Sequence, residues 1–192
     1  LNLKKGEVMG LVGESGCGKS TLGFSILRLL RPPGRLAGGE IRYHGSDIVK
    51  MSEKEVLSLR GKRIAMIFQD PLTSLNPLFS IGQQFVETIL THERGISKNK
   101  ALKRAGEMLQ RLGIAPERLS EYPHQMSGGM RQRIMIGMAL VLNPDLLIAD
   151  EPTTALDVIV EAQFLDLLNE LRAQFNLTIL LISHNLGIVA QM

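Results

Sequence analysis

The chain carries one cysteine, a net charge of only +3 and no long apolar run. Each shortage excludes something. A lone thiol, Cys17, cannot form an internal disulfide and is compatible with a reducing compartment. The small positive excess comes from Lys and Arg spread along the chain, which gives no argument for a nucleic-acid partner. No apolar stretch approaches the ~20 residues that span a bilayer; residues 134–142 and 178–182 are far shorter. The opening residues, LNLKKGEVMG, lack the apolar core of a secretory signal. Internal repeats and low-complexity tracts are missing too. What is there is 44% apolar content over 192 residues, which fits one folded domain with a substantial core. The chain starts without methionine and stops at Met192 inside an apolar-periodic segment, so it is expected to be a fragment cut at both ends.

The most informative stretch is GESGCGKS, Gly13 to Ser20. It follows an apolar run, Val8 to Val12, and opens a segment with helical spacing, Thr21 to Leu30. Strand, glycine-rich loop and helix, in that order, form the context of a phosphate-binding loop. Gly13, Gly16 and Gly18 free the backbone to turn consecutive N–H groups inward as an anion nest. The helix that follows aims its positive end at the same spot. Lys19 adds a cation able to reach β- and γ-phosphates, and the Ser20 hydroxyl can ligate Mg²⁺. A glycine-rich turn with a chance Lys-Ser is the plain alternative, and the full GxxxxGKS spacing disfavours it.

Strands and helices alternate along the chain, which predicts an α/β fold with a mainly parallel sheet. Leu1 to Leu3 reads as the end of a strand, and Val8 to Val12 and Glu40 to Tyr43 as further strands. Ser52 and Glu55 form a capping box for a short helix reaching Leu59. Ile64 to Phe68 (IAMIF) is a buried strand that stops at Gln69, Asp70 and Pro71. Residues 81–93 and 98–112 show helical periodicity, and Ser127 opens another helix to about Leu142. With no strand between Ser80 and Leu142, residues 80–142 read as a helical subdomain inserted into a core of 1–79 and 143–192. The sheet resumes at Leu146 to Ala149, followed by a helix, Val158 to Phe175, and a strand, Thr178 to Ile182.

Two more stretches carry chemistry. LLIADE, Leu146 to Glu151, is an apolar strand ending in two carboxylates, at the edge where doubly wound sheets bind ligands. Asp150 there could hold Mg²⁺ beside Ser20, and Glu151 could polarise an attacking water as a general base. MSGGM, Met126 to Met130, opens the helix carrying Arg131 and Arg133. Ser127, Gly128 and Gly129 offer a hydroxyl and free N–H groups at that helix N-terminus, a second anion site. Two phosphate sites in one chain are economically explained if the second completes the first site of a partner; an ordinary N-cap with flexible glycines is the alternative. His44, His92 and His124 show no ligand spacing, and the nine methionines fit core filling.

In this order, GESGCGKS, Gln69 after a strand, SGGMRQR, LLIADEP, Ala155-Leu156-Asp157 and His184 after TILLIS resemble the ATP-binding-cassette (ABC) ATPases over essentially the whole chain. FQDPLTSLNPLFSIGQQ, YPHQMSGGMRQRIMIGMAL and LIADEPTTALDV resemble the ATPase subunits of dipeptide and oligopeptide importers, and nickel importers look nearly the same. The resemblance implies a P-loop NTPase fold that binds and hydrolyses ATP with Mg²⁺. It makes Gly13, Glu14, Ser15, Gly16, Cys17, Gly18, Lys19, Ser20 and Thr21 the Walker A loop, with Thr21 near the α-phosphate. Gln69 becomes the Q-loop residue touching Mg²⁺ or water, and Ser127 to Gly129 the signature that closes over a partner's ATP. Asp150 and Glu151 become Walker B and the base, Asp157 the D-loop aspartate across a dimer, and His184 the switch on the γ-phosphate.

The implied partners are a second ABC ATPase subunit, identical or paralogous, transmembrane permease subunits and, indirectly, a solute-binding protein, with no nucleic acid. The implied place is the cytoplasmic face of the cell membrane, peripherally. Residues 71–84 become the surface that docks the membrane subunit. A soluble ABC ATPase of translation or DNA repair, and a nucleotide switch without hydrolysis, are the competing classes. Met130 stands where many cassettes have Gln, as it often does in the peptide-importer branch. The family's adenine-stacking aromatic would lie upstream of Leu1.

Overall fold

The computed structural model describes residues 1–68, 75–154 and 157–192. In chain order its elements are β1 (Val8–Val12), α1 (Lys19–Ile26), β2 (Arg42–Tyr43), β3 (Ser46–Asp47), α2 (Glu53–Leu59) and β4 (Ile64–Ile67). There follow α3 (Ile81–His92), α4 (Lys98–Arg111), α5 (Gly128–Leu140), β5 (Leu146–Asp150), α6 (Val158–Phe175), β6 (Thr178–Ser183) and α7 (Leu186–Ala190). Four strands make one parallel sheet in the order β1-β6-β5-β4, and β2 pairs with β3 as a separate antiparallel hairpin.

The central strands read LLIAD and TILLIS, the unbroken apolar runs of strands covered on both faces. Alternation then assigns their side chains to two cores. Leu147, Ala149, Ile179 and Leu181 point into the larger one, with Phe85, Leu109 and Ile136 from α3, α4 and α5. Ile148, Leu180 and Ile182 point to the other face, with Leu27, Ile48 and Val56. The helices between Ile81 and Leu140 therefore share a contiguous core with the sheet. On the second face α1 lies close to the strands at Gly23. A Cβ there would stand 3.3 Å from Ile148 Cγ2 and 3.4 Å from Ile182 Cδ1, so a larger residue would lift the helix.

Register decides where the loops emerge. Val12 pairs with Ser183, Ile182 with Asp150, and Ala149 with Ile67, so the four strands end along one edge. The C-terminal ends of β1, β4, β5 and β6 all lie there, the ligand-binding edge of a parallel sheet. At the opposite edge the Tyr43 hydroxyl donates to Asp145, whose carboxylate also lies 3.5 Å from Arg63, and this anchors the hairpin. Burial, then the Asp145 bond and charge, push the Tyr43 hydroxyl well above the usual phenol range.

The structure differs from the sequence reading in places. Leu1 to Leu3 is unpaired, not a strand end. The strand expected at 40–43 shrinks to Arg42–Tyr43 and turns back at once, because His44 and Gly45 take φ 46° and 83°. Helix α1 stops at Ile26 instead of Leu30: Arg28 adopts φ 51°, which breaks the helix despite continuing apolar spacing. Strands β5 and β6 each run one residue further, to Asp150 and Ser183.

Candidate active site

Six α-helices among the described residues start on a side-chain cap. Ser52, Ser80, Ser97, Ser127, Asp157 and Asn185 each accept a first-turn N–H. Helix α1 does not: its N-cap is Gly18, at φ 96°, with no side-chain acceptor. Among the described residues its first-turn amides therefore have no side-chain acceptor, an arrangement that suits an anion. A Cβ at Gly16 or Gly18 would meet nothing within 4 Å, so the space over them is open. The other end is treated oppositely. Arg60 donates from Nε to Leu27 O at 2.8 Å and from Nη2 to Arg28 O at 2.9 Å, satisfying the negative end of the helix.

Lys19 is 7% exposed and folds back over its own loop, donating to Gly13 O and Glu14 O at 2.8 Å each. Its Nζ also lies 4.0 Å from Glu151 Oε1. Ser20, next on the helix, donates to Asp150 Oδ1 at 2.9 Å, joining residues 130 apart in sequence. Glu151 sits at φ 45°, a conformation a non-glycine residue holds only when its surroundings enforce it. Its N–H donates to Ile182 O at 2.9 Å, and its Oε2 accepts from Thr154 Oγ1 at 3.0 Å and faces His184 Nδ1 at 3.2 Å. Lys19, Ser20, Asp150, Glu151 and His184 therefore meet at one edge of the sheet.

The Ser20 hydroxyl and Asp150 carboxylate are hard oxygen donors 2.9 Å apart. That suits Mg²⁺, which keeps several waters and takes few protein ligands beside phosphate oxygens. Asp150 is 2% exposed. Burial raises its carboxyl above the ordinary range, Ser20 and Lys19 oppose the shift, and neighbouring Glu151 adds to it. An acid raised on folding favours the folded state while protonated and loses that contribution as pH rises through the raised value. Asp150→Asn is therefore expected to raise the thermal midpoint of the nucleotide-free protein near about pH 7, by roughly 2–4 °C per kcal/mol for a chain of this size. The gain should shrink as the pH falls toward the ordinary carboxylate range, because the raised Asp150 carboxyl takes a proton before that range is reached. Thermal scans across that interval check it.

The remaining expected site residues lie apart from this cluster. Ser127 caps α5 by accepting from Met130 N at 3.3 Å, while Gly128 and Gly129 face open space. Asp157 caps α6 through Val160 N at 2.9 Å. Among the described residues no hydrogen bond or ion pair joins Ser127–Gly129 or Asp157 to the Lys19 loop. Glu14, Ser15, Gly16, Cys17 and Thr21 are exposed around Lys19. Gln69, Ala155 and Leu156 lie outside the described residues. Two contacts escaped sequence reasoning: the Thr154 hydroxyl on Glu151, and the buried Gln132 side chain, whose Nε2 donates to Pro152 O at 3.2 Å. Both residues stand inside motif strings, but the strings alone do not say what they touch.

A family model described as ABC transporter matches residues 1–154 of this chain. The chain belongs to the ABC transporter family. Among relatives, it is 53% identical to the oligopeptide transport ATP-binding protein OppD of Bacillus subtilis (strain 168), over 98% of this chain and 53% of that protein. It is 48% identical to the dipeptide transport ATP-binding protein DppD of Escherichia coli (strain K12), over 99% of this chain and 58% of that protein. The chain thus spans about half the length of these curated relatives. Among solved structures, the dimeric post-hydrolysis state of the ATP-binding cassette MJ0796, bound to ADP and Pi, superposes with a TM-score of 0.82 at 30% identity, covering 100% of this chain and 80% of that one. The α/β fold is accordingly the P-loop NTPase architecture of ABC cassettes.

Proposed function

We propose that this chain is the ATP-binding and ATP-hydrolysing part of an ABC importer subunit that drives uptake of peptides. One observation carries the reading: the uncapped α1 terminus, the Ser20–Asp150 pair and the Glu151–His184 contact converge on one sheet edge. The peptide cargo is supported by the oligopeptide and dipeptide names of the relatives. Neither relative named above carries a nickel, translation or DNA-repair description.

In this reading the phosphates of ATP lie over the free amides at the start of α1, within the loop Gly13 to Thr21. Lys19 exchanges the Gly13 and Glu14 carbonyls, 2.8 Å away, for β- and γ-phosphate oxygens. Ser20 and Asp150 hold Mg²⁺, with Gln69 as a further ligand from outside the described residues. When bound, Mg²⁺ supplies positive charge to the phosphate oxygens. Glu151 orients a water and takes its proton as the water oxygen bonds the γ-phosphorus; the bond to the bridging oxygen breaks, giving ADP and phosphate. His184 faces the same carboxylate and is positioned to contact the γ-phosphate.

Completion of the site is assigned to a second ATPase subunit. Gly128 and Gly129 have open space over them and no tie to their own chain's Lys19 loop, which suits a corner serving a partner's nucleotide. Asp157 joins the same face in this reading. Residues 80–142 act as the helical subdomain of a catalytic core formed by 1–79 and 143–192. Leu78 and Phe79 are exposed apolar side chains in the segment assigned to the permease. In this reading the subunit sits peripherally on the membrane's cytoplasmic face, held by permease partners; no helix among the described residues is long and apolar enough to cross a membrane. The test is reconstitution of the full-length protein with its permease in vesicles. Peptide uptake should require ATP and cease in Lys19→Ala; ATP turnover with uptake of a metal ion and no peptide would overturn the cargo.

A further inference from the structure

We infer that Gln132 is a positioning residue for Glu151, tying the helix that starts at Ser127 to the turn that carries the base. The inference rests on the reading of Glu151 given above. Gln132 is 3% exposed, and a buried carboxamide needs a partner. Its Nε2 donates to the carbonyl of Pro152, the residue directly after Glu151, at 3.2 Å. Pro152 is itself buried and has no N–H, and among the described residues its carbonyl accepts no main-chain hydrogen bond. Gln132 gives that carbonyl a side-chain donor from α5.

The turn needs holding because Glu151 is in the left-handed region, at φ 45°. Before it, the Glu151 N–H is fixed on Ile182 O of β6 at 2.9 Å. Within it, Thr154 closes on Glu151 O from its N–H at 3.3 Å and from its hydroxyl at 3.2 Å. From above, Gln132 grips the intervening Pro152 carbonyl from α5. Removing that grip lets the peptide after Glu151 rotate, and the carboxylate moves with it. Gln132 acts through the geometry of the turn, and links the position of the Ser127 corner to that of the base.

The experiment uses the full-length protein with Gln132→Met, which keeps side-chain length and loses the donor. The rate of ATP hydrolysis should fall about tenfold, the rate equivalent of one hydrogen bond, with KM for ATP unchanged. Amide exchange should quicken over residues 151–154 and stay as in the parent over β5. In Gln132→Glu the side chain donates only when protonated, and burial raises a carboxyl. Its hydrolysis, relative to the parent, should therefore recover as the buffer goes from about pH 8 to about pH 6. Parent-like hydrolysis in Gln132→Met would overturn the inference. So would a slower rate with unchanged exchange over 151–154, since the effect would then act elsewhere. Near-normal turnover in Glu151→Gln would instead sink the reading of the base, while the exchange comparison still decides the tie.

Discussion

Glu151→Gln in the full-length protein is expected to slow ATP hydrolysis by about 10²–10⁴-fold, the usual contribution of a general base, and to leave ATP binding intact. Glutamine has the same shape and can keep an acceptor toward Thr154, 3.0 Å away, but it cannot take a proton from water. Binding should survive for an electrostatic reason. Lys19 lies 4.0 Å from the Glu151 carboxylate, so neutralising Glu151 frees the lysine for phosphate. It also removes the negative neighbour that adds to the upward shift of Asp150. A variant that binds and cannot turn over should accumulate the ATP-held pair of subunits, visible as an ATP-dependent dimer in size-exclusion chromatography. Phosphate release, nucleotide titration and elution volume separate the outcomes. Near-parent hydrolysis would place the base elsewhere, and loss of binding together with hydrolysis would make Glu151 a structural residue.

Much of this site was legible because phosphate binding imposes local rules. The run from Val8 to Ser20 states strand, loop and helix start in consecutive residues, and the structure has β1, the Gly18 N-cap and α1 there. Strands β5 and β6 were equally plain, since only strands buried on both faces read LLIAD and TILLIS. Asp150 beside Ser20 was expected from the motifs; what could not be read is the register and the backbone angles that bring the residues together. Ser20 and Asp150 meet across 130 residues because the parallel pairing of β5 with β6 and of β6 with β1 brings their ends level. No spacing rule encodes that distance. The left-handed turn at Glu151 was also hidden, because glutamate does not announce a positive φ as glycine does. Helix α1 was overextended for a related reason: the apolar spacing to Leu30 continues, but Arg28 turns out of the helix and Arg60 takes the final carbonyls. Gln132 in turn reads as an ordinary polar helix residue until the fold buries it against Pro152.

Lys19→Ala is expected to weaken ATP binding by at least about 100-fold, equivalent to roughly 3 kcal/mol, because charge-assisted hydrogen bonds to phosphate are lost. The contacts of Lys19 show what the substitution removes. Lys19 Nζ stands 2.8 Å from both Gly13 O and Glu14 O and 4.0 Å from Glu151, so it is the cation that serves loop carbonyls and carboxylate together. Arg60 is committed to the far end of α1, at Leu27 O and Arg28 O. Without Lys19 the amides of α1 face the phosphates alone, next to Asp150 and Glu151, whose charges repel them. The same deletion has a signature in the absence of nucleotide. Lys19 is one of the two influences that lower the Asp150 carboxyl against burial, so removing it lets that carboxyl rise further. By linkage the variant should lose stability relative to the parent as pH climbs from the ordinary carboxylate range, near about 4, toward neutrality. Paired thermal scans of parent and Lys19→Ala across that range measure the loss, and isothermal titration with ATP measures the affinity. Binding within threefold of the parent would show that the α1 amides suffice without the lysine; a stability difference independent of pH would show that Lys19 acts on the loop carbonyls alone.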